Sequence, residues 1–340
     1  MIILFILLLI VCLYGIKYKT FHEDYMSKQS TNAIKGIFAM IILFSHMRGY
    51  LSLSDRWFDK VYVDILNYIG QAMVAMYLFY SGYGIMESLK SKPDYGNNFF
   101  KNRIIKTLFN FDVAVFLYVI SSFLLNKTFS PIQYLTCWIG WESVGNSNWF
   151  IFVILVLYLI VYVDILLYKR YHFKLKQLYV CTIVLCVGLY LFLRLTRDGA
   201  WWYNTIFTFP LGMLFSNYRK RIEILVRNKY YIYLFGFFTI LCVVHYLSGV
   251  DTLGVYTCGF SLLIVLLSIR IKINNKILQW LGINAFSIYI LQRLPMSILT
   301  YYGINFSPPN FVILTIVGTL IISYLFTQLI NRLDFILVKK

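Results

Sequence analysis

Apolar stretches of about 16 to 24 residues recur eleven times along this 340-residue chain, and no other property limits its fold as severely. Each is long enough to span, or nearly span, the roughly 30 Å hydrocarbon core of a bilayer as a helix. With 60% hydrophobic and 13% charged residues and a mean hydropathy of +0.72, a soluble domain of this size would lack the polar surface to cover itself. A membrane β-barrel would show short alternating segments in place of continuous runs. The expected fold is therefore all-α, a polytopic transmembrane helical bundle. Its spans fall near 1–16, 31–52, 63–88, 105–125, 149–168, 178–195, 201–217, 230–248, 252–269, 280–302 and 310–331.

The net charge of +17 reads as topology. If the loop holding Lys17, Lys19 and Lys28 is inside, alternation places 24 of the 31 Lys and Arg in inner segments. That bias is the positive-inside signature, so a nucleic-acid partner is not indicated. Eleven spans then put the N-terminus outside and the C-terminus inside, in a multi-pass protein of the cell membrane. Residues 1–16 lack a basic n-region and a small-residue cleavage site, which favours an uncleaved helix over a signal peptide. The division expected is an extra N-terminal helix and inner loop over 1–30, then one membrane domain over 31–340.

Six scattered cysteines form no C-x-x-C pair and no zinc-ligand spacing, so neither redox chemistry nor a metal site is expected. The longest connection, Asn126 to Asn148, contains the segment PIQYLTCWIGWE, which suits a short interfacial or re-entrant piece. Of the four histidines, His22 and His172 fall in inner loops and read as solvated, and His245 reads as structural.

The remaining histidine is different. His46 lies deep in an apolar run, eleven residues after Lys35. At about 100° per residue this is three turns plus roughly 20°, so both project from nearly one helix face about 16 Å apart. A neutral imidazole there can take a proton from an attacking hydroxyl. It equally suits a histidine hydrogen-bonded between packed helices. Ser81, Gly82 and Gly84 permit close helix approach or a narrow tunnel wall beside His46. Arg103 and Lys106, spaced i,i+3, share a face and are either topogenic charge or phosphate ligands, with Glu87 at their level as a partner. Glu142, Trp149, Asp198 and Trp201 mix flat apolar faces with polar groups on the outer side, as an aromatic belt or a carbohydrate surface would.

Taken in order, these motifs resemble acyltransferase family 3, integral-membrane acyltransferases that decorate bacterial surface glycans and some small molecules. Lys35 and His46 keep the spacing of the family's Arg-x10-His, with Lys for Arg. Tyr77, Leu78, Ser81 and Gly82 follow its FFxxSG, with both Phe changed. Arg103 and Lys106 stand at its RxxR, NWFIFVILVLY (148–158) at its Trp-led span, and LQWLGINAFSIYILQ (278–292) at a segment that often ends in His, replaced here by Gln292. The resemblance covers roughly 31–330, ten helices, and implies transfer of an acyl group to a sugar hydroxyl, usually acetyl from acetyl-CoA. His46 would be the catalytic base, assisted by Lys35. Arg103, Lys106, Ser81 and Gly82 would bind the acyl-CoA donor. Glu142, Trp149, Trp201 and Asp198 are the candidates for the glycan acceptor. Acyl-CoA would be a substrate, with no bound cofactor, and the partners would be membrane lipid and the glycan. The sequence carries no signal for an oligomeric state. Two other classes are a transporter of a glycan or lipid-linked oligosaccharide, which would favour internal repeats or paired broken helices, and a glycan polymerase.

Overall fold

Each apolar run falls on helix, although not always on one helix of the same bounds. The computed structural model describes residues 2–51, 53, 56–171, 175–247 and 253–338, without the side chains of 68, 175, 245, 247, 253 and 334–338. His172, Lys174, Lys339, Lys340 and the His245 side chain thus lie outside the described residues. In chain order the elements are α1 (Ile2–Leu13), β1 (Ile16–Tyr18), α2 (Lys28–Met47), α3 (Trp57–Ser91), α4 (Lys106–Leu124, entered through a π-helical turn, Phe100–Ile105), α5 (Pro131–Thr136), α6 (Trp149–Tyr171) and α7 (Leu175–Thr196). They continue with α8 (Thr208–Leu247), α9 (Leu253–Arg270), β2 (Ile271–Ile273), α10 (Lys276–Ile283), α11 (Ala285–Leu291), α12 (Arg293–Tyr301) and α13 (Pro308–Val338). Among the described residues, five helices are long and apolar enough to cross a membrane: 57–91, 100–124, 149–171, 176–196 and 308–333. This is an all-α membrane protein with one two-stranded ribbon.

The central helix is α2, packed against α3, α10 and α11 and buried along most of its length. Its polar residues are therefore shielded from lipid by protein, where ionisable groups in membrane helices normally sit. Tyr62 Oη donates to the Phe44 carbonyl at 2.8 Å, and Tyr77 Oη to the Lys35 carbonyl at 2.6 Å, fixing α3 along it.

Several boundaries differ from the sequence reading, each for a visible reason. The expected first span, 1–16, holds a helix of only 12 residues, because Gly15 takes a positive φ of 83° and the chain becomes extended. Its rise of about 18 Å is shorter than a bilayer core. The run expected to open at 201 begins with a 3-10 turn at Ala200–Trp202 and becomes α-helical only at Thr208. The basic stretch 219–229, read as an inner loop, is helical, and α8 passes through it to a kink at Lys229. Its Arg, Lys, Glu, Ile and Leu residues are adequate helix formers. The expected helix 280–302 is divided at Asn284, whose backbone leaves helical geometry, and again at Gln292, ahead of Pro295.

Contacts among the Lys/Arg-rich segments define a basic end. Ile16 pairs with Ile273 and Tyr18 with Ile271 in an antiparallel ribbon, and Lys272 pairs with Asp24. That ammonium holds the Asp24 carboxyl below the usual aspartate range. The Arg219 guanidinium donates to Glu223 at 2.7 Å and covers the Tyr25 ring at 4.8 Å. His22, expected to be solvated, is buried here: its backbone N–H donates to the Ile269 carbonyl at 2.7 Å, and its ring lies 3.3 Å from the Lys17 carbonyl. The opposite end is rich in tryptophan. There the 126–148 connection dips between helices, placing Gly145 against Tyr118, about 9 Å of helical rise short of the end of α4.

Candidate active site

From the basic end a cavity of about 600 Å³ runs into the bundle between α2, α3, α4, α6 and α10–α11. On α2 its wall is Lys28, Thr31, Lys35, Ala39 and Ile42, a row with steps of three and four, the period that keeps side chains on one face. His46 is the next member of that row. On the opposite side, Ala285, Phe286 and Tyr289 line the cavity and Arg293 is the next residue of their row. Lys35 and Arg103 both point into this space from different helices. The Lys35 ammonium sits 5.5 Å from the Tyr80 ring centre, and Arg103 Nε donates to Tyr95 Oη at 3.0 Å. Neither has a carboxylate partner among the described residues. Ser81 shares the wall, its Oγ 2.9 Å from Tyr158 Oη.

A second cavity, of about 410 Å³, opens from the tryptophan-rich end. Trp141, Glu142, Asn146, Ser147, Trp149, Arg197, Trp201, Trp202 and Arg293 contribute to its wall. The loop that forms it is held by its own side chains. Ser143 Oγ donates to the Asn146 carbonyl at 2.8 Å, Asn146 Oδ1 accepts from the Val144 N–H at 3.0 Å, and Asn148 Nδ2 donates to the Gly140 carbonyl at 3.0 Å. Arg197 is clamped by donating to Glu142 at 3.0 Å and to the Trp141 carbonyl at 2.6 Å. Its guanidinium lies 3.6 Å from the Trp141 ring and 4.3 Å from that of Trp202.

His46 stands between the two spaces. It lines neither, is largely buried, and its Nδ1 has no hydrogen-bond partner among the described residues. Its ring centre is 6.1 Å from that of Tyr289, at the far end of the first cavity, and Phe150 packs on Tyr289 at 5.3 Å. Arg293, in the wall of the second cavity, is close enough to act electrostatically on both His46 and Tyr289. One helical face thus leads from cations near the basic end to a polar ring at the partition.

The candidates from sequence divide accordingly. Lys35, Ser81 and Arg103 share the first cavity; Glu142, Trp149 and Trp201 share the second. Gly82 faces α8, not the cavity: a Cβ there would lie 2.1 Å from the Phe209 carbonyl oxygen, so its place is a helix contact. Lys106 does not share the face of Arg103, because the π-helical turn at 100–105 takes more residues per turn than an α-helix and rotates the following side chains away. Glu87 reaches the cavity and pairs with Lys90 at 3.1 Å and Ser216 at 2.5 Å. Asp198 is exposed and outside the second cavity, whose wall takes its neighbour Arg197. Arg197, Arg293, Ser147 and Tyr289 were not singled out from sequence. The period from Tyr289 to Arg293, i to i+4, is the one signal that could have found a member of this group.

Long apolar helices around a polar interior with two facing cavities define a membrane protein built for chemistry on buried groups. The chain belongs to acyltransferase family 3: the acyltransferase domain matches residues 28–328, nearly its whole length. No curated protein and no solved structure matches it. It is a membrane acyltransferase.

Proposed function

We propose that this enzyme moves an acyl group, in the simplest case acetyl, from cytosolic acyl-CoA to a hydroxyl of a cell-surface or lipid-linked glycan. The observation that carries the reading is the α2 row that runs from Lys28 and Lys35 along a cation-lined cavity to His46, with a second, indole-lined cavity beyond it. Lys35 and Arg103 suit the phosphates of CoA, since both donate charge-assisted hydrogen bonds to oxyanions. The tryptophan faces and the polar wall beyond suit a sugar. In this reading the basic end is cytosolic, the eleven segments are spans with the N-terminus outside and the C-terminus inside, and residues 1–30 are an addition to a domain over 31–340 in the cell membrane.

In the reaction, the His46 imidazole takes the proton of the sugar hydroxyl as its oxygen attacks the thioester carbonyl carbon. The carbon–sulfur bond then breaks, and the proton passes from the imidazolium to the departing CoA sulfur, giving ester and thiol. The unpartnered Nδ1 leaves that nitrogen uncommitted to a structural hydrogen bond among the described residues.

His46→Ala tests this. With membrane insertion confirmed, acyl ester on the glycan is expected to fall by about 10²- to 10⁴-fold while glycan amount and chain length stay unchanged. Retained ester with altered chain length or export would replace this reading with a polymerase or a transporter.

A further inference from the structure

The polar groups of the second cavity are mismatched in a consistent direction. Asn146 Nδ2, Arg197 Nε and Arg293 Nε are buried without partners among the described residues, and all three can only donate. Ser147 Oγ, also unpartnered, can donate as well. Asn146 is 2% and Ser147 3% exposed, so both side chains are enclosed by the cavity wall rather than standing on the outer surface. The charge is mismatched too. Arg197 is compensated by Glu142 and enclosed by two indoles, whereas Arg293 has no carboxylate partner among the described residues. The wall therefore offers donors and one positive charge, that of half-buried Arg293, without a carboxylate partner among the described residues, and such a group favours an oxyanion.

On the acyl-transfer reading above, we infer that the acceptor is acidic: it carries an oxyanion, the carboxylate of a uronic sugar or a phosphate group, that binds Arg293 with Asn146 and Ser147. A neutral sugar would fill the donors with hydroxyl oxygens but leave Arg293 uncompensated. Because Arg293 follows Tyr289 just past the turn at Gln292, and the Tyr289 ring stands 6.1 Å from that of His46, the anion anchors the acceptor on the His46 side, and a hydroxyl near that anion is the one presented for acylation. The indoles of Trp149 and Trp201 supply flat apolar faces for the sugar rings.

The cavity contains its own reporter, since Trp141, Trp149, Trp201 and Trp202 are four of the seven tryptophans. The full-length protein in detergent is titrated, following tryptophan emission, with a neutral glucose disaccharide, the same disaccharide with glucuronate in place of one glucose, and the disaccharide 1-phosphate. At least one anionic form should bind about tenfold more tightly than the neutral one, the scale of a single charge-assisted contact. Preference for the glucuronate form identifies an acidic sugar as the source, and preference for the phosphate form identifies a phosphate group. Arg293→Gln should remove the preference while leaving neutral binding in place, and Arg293→Lys should keep most of it. Equal binding of all three, quenching by none, or a preference that persists in Arg293→Gln overturns the inference. The wild-type comparison decides the matter by itself should the Gln variant not fold. Binding needs no turnover, so the two readings fail separately. Equal binding alongside ester loss in His46→Ala removes only the acidic acceptor, whereas ester retained in His46→Ala removes the acyl-transfer reading.

Discussion

The two cavities lie to either side of one histidine but are built in opposite ways. The cavity at the basic end is walled by long helices, and its cations Lys35 and Arg103 enter from separate helices without a carboxylate partner among the described residues, the Glu87 of the same wall being paired with Lys90. The other is walled largely by loops, and its Arg197 is already engaged by Glu142, a carbonyl and two indoles. A cation left unpaired in a cleft favours an anionic ligand that arrives from outside. A cation already paired orders the wall that a ligand meets. The first arrangement is a site for charge, and the second is a scaffold for shape with one charge, Arg293, left over.

The largest effect separating the two should come from replacing Lys35 and Arg103 together with Met. KM for acyl-CoA is expected to rise about 100-fold or more, the loss of two charge-assisted contacts, with KM for the acceptor unchanged in steady-state assays of CoA release. A parallel rise in acceptor KM would erase the distinction. Glu142→Gln comes next. It leaves the Arg197 guanidinium, whose side chain is 14% exposed, without its counterion. Thermal unfolding should show a loss of about 1–3 kcal/mol, with acceptor KM raised and donor KM unmoved. A stability unchanged by Glu142→Gln would mean that the indoles alone hold Arg197.

The helical half of this comparison was legible in the sequence and the loop half was not. Hydropathy identifies the chain as helical and membrane-embedded, since apolar runs of that length have few other solutions, but it does not show where helices break or merge. The Lys35–His46 face follows from the 3.6-residue period, which also brings Ser81 to the same space. The period misled at Arg103 and Lys106, because a π-helical turn leaves no compositional mark. It could say nothing about Arg197 against Asp198, adjacent residues in a connection without a repeat. There the side chain that enters the wall is chosen by Trp141 and Trp202, which come from different segments of the chain. Gly82 was read into a tunnel wall, but the same smallness serves a backbone carbonyl of α8.

Smaller effects probe those corrections. Lys106→Ala should change donor KM by less than about twofold, and Asp198→Asn should shift stability by no more than about 0.5 kcal/mol, as exposed substitutions generally do. A donor KM that responds to Lys106 as strongly as to Arg103 would restore the shared face expected from i,i+3 spacing. The smallest effect belongs to Asp24. Its carboxyl titrates below its ordinary value because of Lys272, so the contribution of the pair is fully present above the unfolded value of 3.8 and is lost as pH falls below it through the folded value. Limited proteolysis of the N-terminal segment should therefore be constant from about pH 5 to 8 and increase only below about pH 4. Asp24→Asn should remove that acid step, and at neutral pH it should cost less than about 1 kcal/mol, the pair being exposed.

The ribbon between Ile16–Tyr18 and Ile271–Ile273 carries a consequence for biogenesis. The first strand leaves the ribosome near the start of synthesis, whereas its partner follows eight helices later. The ribbon must therefore wait while most of the helices insert, with α1 meanwhile anchored by Phe5 against Phe44 and Tyr62. Its closure is a late event, and a nascent chain halted before Ile271 should leave Ile16–Tyr18 unpaired and α2 still without α10.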